Sequence, residues 1–160
     1  MKRLICLAIF GFIFISCAYE ASAQSIDAKS LRGIKRVQIL VEDLSADSGR
    51  FITNDEVSRI IRERLTRRGI QVIADSGPDD RYNILYINLN LLSDDLGVVF
   101  NLKLSFEQMV TLRDDYQLMA STWSRQILAK SGQNGARRQI IEVMEELTDQ
   151  FLLDYLTVNR

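Results

Sequence analysis

The sequence predicts an α+β, two-layer domain: about five strands in one mixed sheet, in the order β-α-β-β-β-β-α, with two helices packed on one face. Three observations predict it. From Val98 to Leu112 apolar residues (Val98, Phe100, Leu102, Leu104, Phe106, Val110, Leu112) alternate with mostly polar ones, the period of a half-buried strand. Two other stretches carry apolar residues at intervals of three and four, the period of an amphipathic helix. The first of these lies between two short alternating runs, which makes a strand-helix-strand unit with parallel strands.

At the amino terminus Lys2 and Arg3 precede an apolar run from Leu4 to Ser16, and Ala21-Ser22-Ala23 is a small-residue cleavage pattern. Residues 1–23 read as a secretory signal peptide, because a run of about 13 residues falls short of the ~20 that span a bilayer. The alternative is a lipoprotein signal, in which Phe14-Ile15-Ser16-Cys17 presents Cys17 for acylation. The expected compartment is therefore periplasmic or secreted, with anchoring through Cys17 as the variant and no transmembrane helix in the mature chain. Cys6 and Cys17 both precede the cleavage site, so the mature chain is expected to hold no thiol and no disulfide.

Residues 24–32 lack a period and read as a flexible leader, leaving 33–160 as a single domain. Val37, Ile39 and Val41 alternate with polar neighbours in a first strand, and Asp43 to Arg50 reads as a polar loop. Thr53-Asn54-Asp55-Glu56 is a capping box that starts a helix with Val57, Ile60, Ile61 and Leu65 on its apolar stripe. Gly69 closes that helix and Ile70 to Ile73 is a second strand. Gly77-Pro78-Asp79-Asp80 marks a turn. Alternation from Leu85 to Leu91, from Val98 to Leu112 and from Gln117 to about Leu128, joined by hairpin-length links, predicts an antiparallel meander. Gln108 interrupts the apolar face of the middle strand, where a bend or bulge is expected. Ile140, Ile141, Met144, Leu147, Phe151, Tyr155 and Leu156 define a long last helix.

The opening unit, Val41-Glu42-Asp43-Leu44, then Val57, Ile60, Ile61 and Leu65, then Gly69-Ile70-Gln71-Val72, resembles the amino-terminal domains of TolB-type bacterial envelope proteins. Thr122-Trp123 and the ending Phe151-Leu152-Leu153-Asp154-Tyr155-Leu156-Thr157-Val158-Asn159 resemble a group of small exported bacterial proteins without an assigned activity. These resemblances imply a fold and a compartment. They carry over no catalytic residue.

Composition removes several function classes. A net charge of −1 implies no nucleic-acid partner. The chain has no histidine, which takes away the usual general base near neutral pH and the commonest transition-metal ligand. Without histidine or a mature thiol, zinc is not expected, and no phosphate loop, dinucleotide fingerprint or Gly-x-Ser-x-Gly turn occurs. No cofactor, metal or catalytic residue is expected. The acidic pairs Asp79-Asp80, Asp94-Asp95 and Asp114-Asp115 sit in predicted turns, where Asp bonds the local backbone.

The feature suited to contact is a set of arginines, Arg59, Arg62, Arg64, Arg67 and Arg68 on the first helix with Arg50 before it. Arginine binds carboxylate and phosphate in bidentate fashion, so these six are the candidate partner-binding residues; the bland alternative is a solvated helix face. The expected function is a non-catalytic exported binding or interaction module of the bacterial envelope. Its partner would be an envelope or secreted protein or an anionic surface. The alternatives are a small-ligand carrier with a cavity between helices and sheet, and a carboxylate-dependent hydrolase.

Overall fold

The computed structural model describes residues 27–73 and 83–159. The expected signal peptide, Cys17 and the Gly77-Pro78 turn lie outside the described residues.

Five strands form one mixed sheet in the order β2-β1-β3-β4-β5. These are β1 (Arg36–Val41), β2 (Gln71–Ile73), β3 (Asn83–Asp94), β4 (Gly97–Thr111) and β5 (Gln117–Ser131). The helices are a short α1 (Ala46–Gly49), then α2 (Asn54–Arg67) and the carboxy-terminal α3 (Ala136–Val158). Strand β1 runs parallel to both β2 and β3, while β3, β4 and β5 make an antiparallel meander. The α+β architecture and its element order agree with the sequence reading.

Local chemistry accounts for the element ends. The Thr53 hydroxyl accepts from the Glu56 amide at 3.2 Å and starts α2. The returning half of the capping box does not form, because the Glu56 carboxylate is drawn to Arg137 of α3. Gly69, at φ +81°, supplies the left-handed residue that ends α2. The predicted polar loop contains α1, whose cap Ser45 accepts from the Ser48 amide at 3.2 Å, and Ser48 is fully buried. Gly97 turns β3 into β4 at φ +141°, with space for no side chain: a Cβ there would sit 2.6 Å from the Ser131 carbonyl oxygen.

The expected irregularity in β4 is real, but the extra residue belongs to β5. Phe106 pairs with Trp123 and Glu107 with Ser121, so Thr122 is the residue left over. Its hydroxyl donates to Gln108 Oε1 at 2.7 Å, which gives the polar interruption at Gln108 its partner.

Both long helices lie on one face of the sheet. Val57, Ile61 and Leu65 of α2 and Ile140, Met144, Leu147 and Phe151 of α3 join Val37, Leu85, Ile87, Leu102, Leu104 and Phe106 in one core. Phe151 packs between Phe106 (centroids 5.8 Å) and Trp123 (5.1 Å, edge to face), so the helix-sheet space is filled by rings. The opposite sheet face faces solvent, as an antiparallel sheet allows.

The expected flexible leader is corrected from Asp27 onward. Residues 27–32 form a helical turn, and its Ala28 and Leu31 are buried because their apolar side chains complete the core beside the chain's other end. There Asn159 donates to the Leu31 carbonyl at 2.9 Å and accepts from the Gly33 amide at 2.7 Å, while the Tyr155 hydroxyl donates to the Ile34 carbonyl at 2.9 Å.

Candidate functional site

The six arginines chosen from the sequence do not make one open cationic face. Arg64 turns toward α3 and forms ion pairs with Glu145 (2.9 Å) and Asp149 (2.7 Å). Its partial burial opposes the charge, but the hydrogen bonds to Glu145 and Asp149 outweigh that and raise its pKa. Arg59 and Arg67 flank Glu63 at 3.1 and 3.7 Å, one turn away on either side. Arg50 lies 3.8 Å from Asp47. Arg62 reaches the Val72 carbonyl at 3.5 Å, and Arg68 caps the helix end, without an ion pair among the described residues. Helical spacing puts Arg59, Arg62, Arg64 and Arg67 on α2, and the acidic face of α3 then neutralises Arg64. On α3 beside Arg64 a shallow depression of about 570 Å³ is lined by Arg64, Glu142, Glu145, Glu146 and Asp149, so its rim is acidic overall.

Two arrangements were not legible in the sequence. One is a clasp at the sheet edge: the buried Trp123 donates its indole N–H to Asp154 at 2.8 Å, and Arg125 bonds the same carboxylate at 3.1 Å and Asp27 at 3.3 Å. The Arg125 guanidinium lies 5.1 Å from the Trp123 ring centroid. Trp123 is therefore a core ring tying β5 to α3, and Arg125 extends the tie to the first turn. The other arrangement is a polar ladder on the solvent face of the sheet. Glu42 accepts from the Tyr86 hydroxyl at 2.5 Å and from the Asn88 amide, and Asn90 donates to Asn88. The Tyr86 hydrogen bond, and after it the Asn88 one, hold the Glu42 carboxyl below its ordinary pKa. The same contact to Glu42, with burial second, raises the Tyr86 pKa. Alternation placed Tyr86, Asn88 and Asn90 on one strand face, but nothing local announced that Glu42 of the neighbouring chain segment would join them.

Among the described residues strand β5 is an edge of the sheet, paired with β4 alone. It carries Arg125 and Lys130 and no acidic residue from Gln117 to Ser131. At Thr122 the Ser30 hydroxyl reaches the strand carbonyl at 3.3 Å, so the first turn covers the edge beside the bulge. Among the described residues no three His, Cys, Asp or Glu side chains are grouped to hold a metal ion, and no helix is long and apolar enough to cross a membrane.

No protein-family model matches the chain, and no curated protein matches it in sequence. Among solved structures, a minor lipoprotein from Acinetobacter baumannii aligns with 77% of this chain and 94% of its own at 14% identity, with a TM-score of 0.36. A likeness of that size assigns this chain neither a family nor a role.

Proposed function

We propose that the protein is a non-catalytic binding module of the bacterial envelope, periplasmic or secreted, which takes an extended segment of an exported partner along the free edge of β5. The observation that carries this reading is the edge itself. Among the described residues its backbone groups on one side have no strand neighbour, and beyond the first turn at Thr122 the stretch from Gln126 to Ser131 is open. An added strand gains main-chain hydrogen bonds there, and the lack of acidic residues on β5 suits a neutral or acidic segment. Arg59, Arg62, Arg67 and Arg68 stand exposed on α2, where they steer such a partner at long range. The envelope location rests on the signal pattern of residues 1–23. The carrier alternative loses ground because Phe106, Trp123 and Phe151 occupy the space between helices and sheet.

The experiment is capture of partners from an envelope extract, followed by amide exchange of the complex. Exchange at residues 126–131 should slow on binding. Arg59→Glu, Arg62→Glu and Arg67→Glu together should weaken capture several-fold at low salt, with the melting transition nearly unchanged. A captured partner that leaves those amides exchanging freely would remove the edge from the mechanism. A hydrolytic activity of the purified protein that single Asp→Asn changes abolish would replace the binding reading with an enzymatic one.

A further inference from the structure

The uncovered face of the sheet carries an aliphatic patch at one end. Leu92, Leu96, Val99 and Leu128 are 76%, 85%, 40% and 74% exposed. Register brings them together: Leu92 of β3 stands opposite Val99 of β4, and Val99 stands opposite Lys130 of β5. In the next outward-facing row Asn90, Asn101 and Leu128 are aligned in the same way. Two depressions of about 370 and 480 Å³ meet on this patch and share Leu92 and Val99. Monomers rarely leave grouped large aliphatics on a flat surface without a partner for them.

The charges around the patch are ordered. Asp47 of α1 lies beside β3 and Asp94 ends it, Leu92, Val99 and Leu128 lie on β3, β4 and β5 in turn, and Lys130 stands on β5, across β4 from the two aspartates on the same depression. Lys130 has no acidic partner among the described residues. Among the described residues the Asp94 carboxylate accepts the Leu96 amide at 2.8 Å and meets no cation, and Asp47 keeps only the 3.8 Å contact to Arg50.

We propose that this patch docks a second copy of the same chain, face to face. A twofold axis lying in the contact plane along β4 carries each copy's Lys130 onto the Asp47 and Asp94 side of the other. Leu92, Val99 and Leu128 of the two copies then close the centre. Such a contact is isologous, so one patch must hold both halves of every charge pair, as this one does. An axis across the strands would set Lys130 on Lys130, and the charge order rejects it. The patch is small, so the dimer is weak and salt-sensitive. The contact uses side chains of the outer face and leaves the backbone edge of β5 free, so it stands or falls separately from strand capture.

Sedimentation of the full chain over a range of concentration and salt tests this. The wild-type chain should pass from monomer to dimer as concentration rises, and added salt should push it back. Lys130→Glu should weaken association at least tenfold, and so should Asp47→Lys with Asp94→Lys. Combining all three should restore association to within a few-fold of wild type, which only a Lys130 contact to these aspartates across the dimer can do. Leu128→Asp should give a monomer with an unchanged melt, since Leu128 makes little use of the core. A wild-type chain that stays monomeric at every concentration overturns the proposal, and so does a combined variant that fails to recover. A monomer that binds neutral phosphatidylcholine vesicles through Leu92 and Leu96 overturns it in favour of a lipid surface.

Discussion

Asp154 accepts hydrogen bonds from two donors, Trp123 and Arg125, that lie 31 and 29 residues away along the chain. Removing it leaves the indole N–H of Trp123, only 1% exposed, with nothing to bond. Asp154→Ala should therefore cost about 1–3 kcal/mol in urea unfolding, the penalty for an unpaired buried donor. Asp154→Asn keeps an acceptor oxygen and should lose clearly less; equal losses would mean that the packing of the side chain, not its hydrogen bond, matters. A second residue-scale prediction concerns acid. The Glu42 pKa lies below its unfolded value of about 4.3, so its contribution to stability is complete above that pH and is lost as pH falls through the folded value. Glu42→Gln should accordingly flatten the acid side of the stability curve below about pH 4, by a small amount because the group is exposed to solvent. Melting temperatures of the two proteins at neutral and acid pH decide it.

At the scale of elements, α3 supplies Ile140, Met144, Leu147, Phe151 and Leu152 to the core. Burial of each such side chain contributes about 1.5–3 kcal/mol. A chain cut before Thr148 loses Phe151 and Leu152 and should lose its cooperative melt; a transition within a few degrees of the full-length one would contradict the core described above. The period of α3 was plain in the sequence because a helix needs only its own residues to show a stripe. Alternation in β4 was equally plain. Other features were hidden for physical reasons. The bulge is a relation between two strands, so Gln108 pointed to the right neighbourhood while the extra residue, Thr122, stood on the partner strand. Helix α1 is a single turn, too short for any period, and the core role of Leu31 depends on what packs over it. The arginines of α2 were legible as positions. Their partial neutralisation by Glu145 and Asp149 was not, because it arises only when α3 docks.

For the whole molecule, the sheet changes from parallel to antiparallel at β3, with both long helices on one side. The alternation of the last three strands already indicated a one-sided sheet, since a strand covered on both faces reads as a continuous apolar run. The strand-helix-strand unit predicted the parallel β1–β2 pair, but the position of β1 between β2 and β3 was not indicated, because the second parallel pairing, of β1 with β3, leaves no mark in either strand's own pattern. One consequence reaches beyond the folded state. Leu31, Gly33 and Ile34 are held by Asn159 and Tyr155, so the earliest described residues take their partners from the latest. During synthesis the amino-terminal turn must wait, uncommitted, until the last turn of α3 has left the ribosome. A domain closed in this way keeps its first turn unfolded until α3 is made, and the same adjacency would let Asp27 and Asn159 be bridged by a short linker and the backbone opened at the β4–β5 hairpin without severing the sheet.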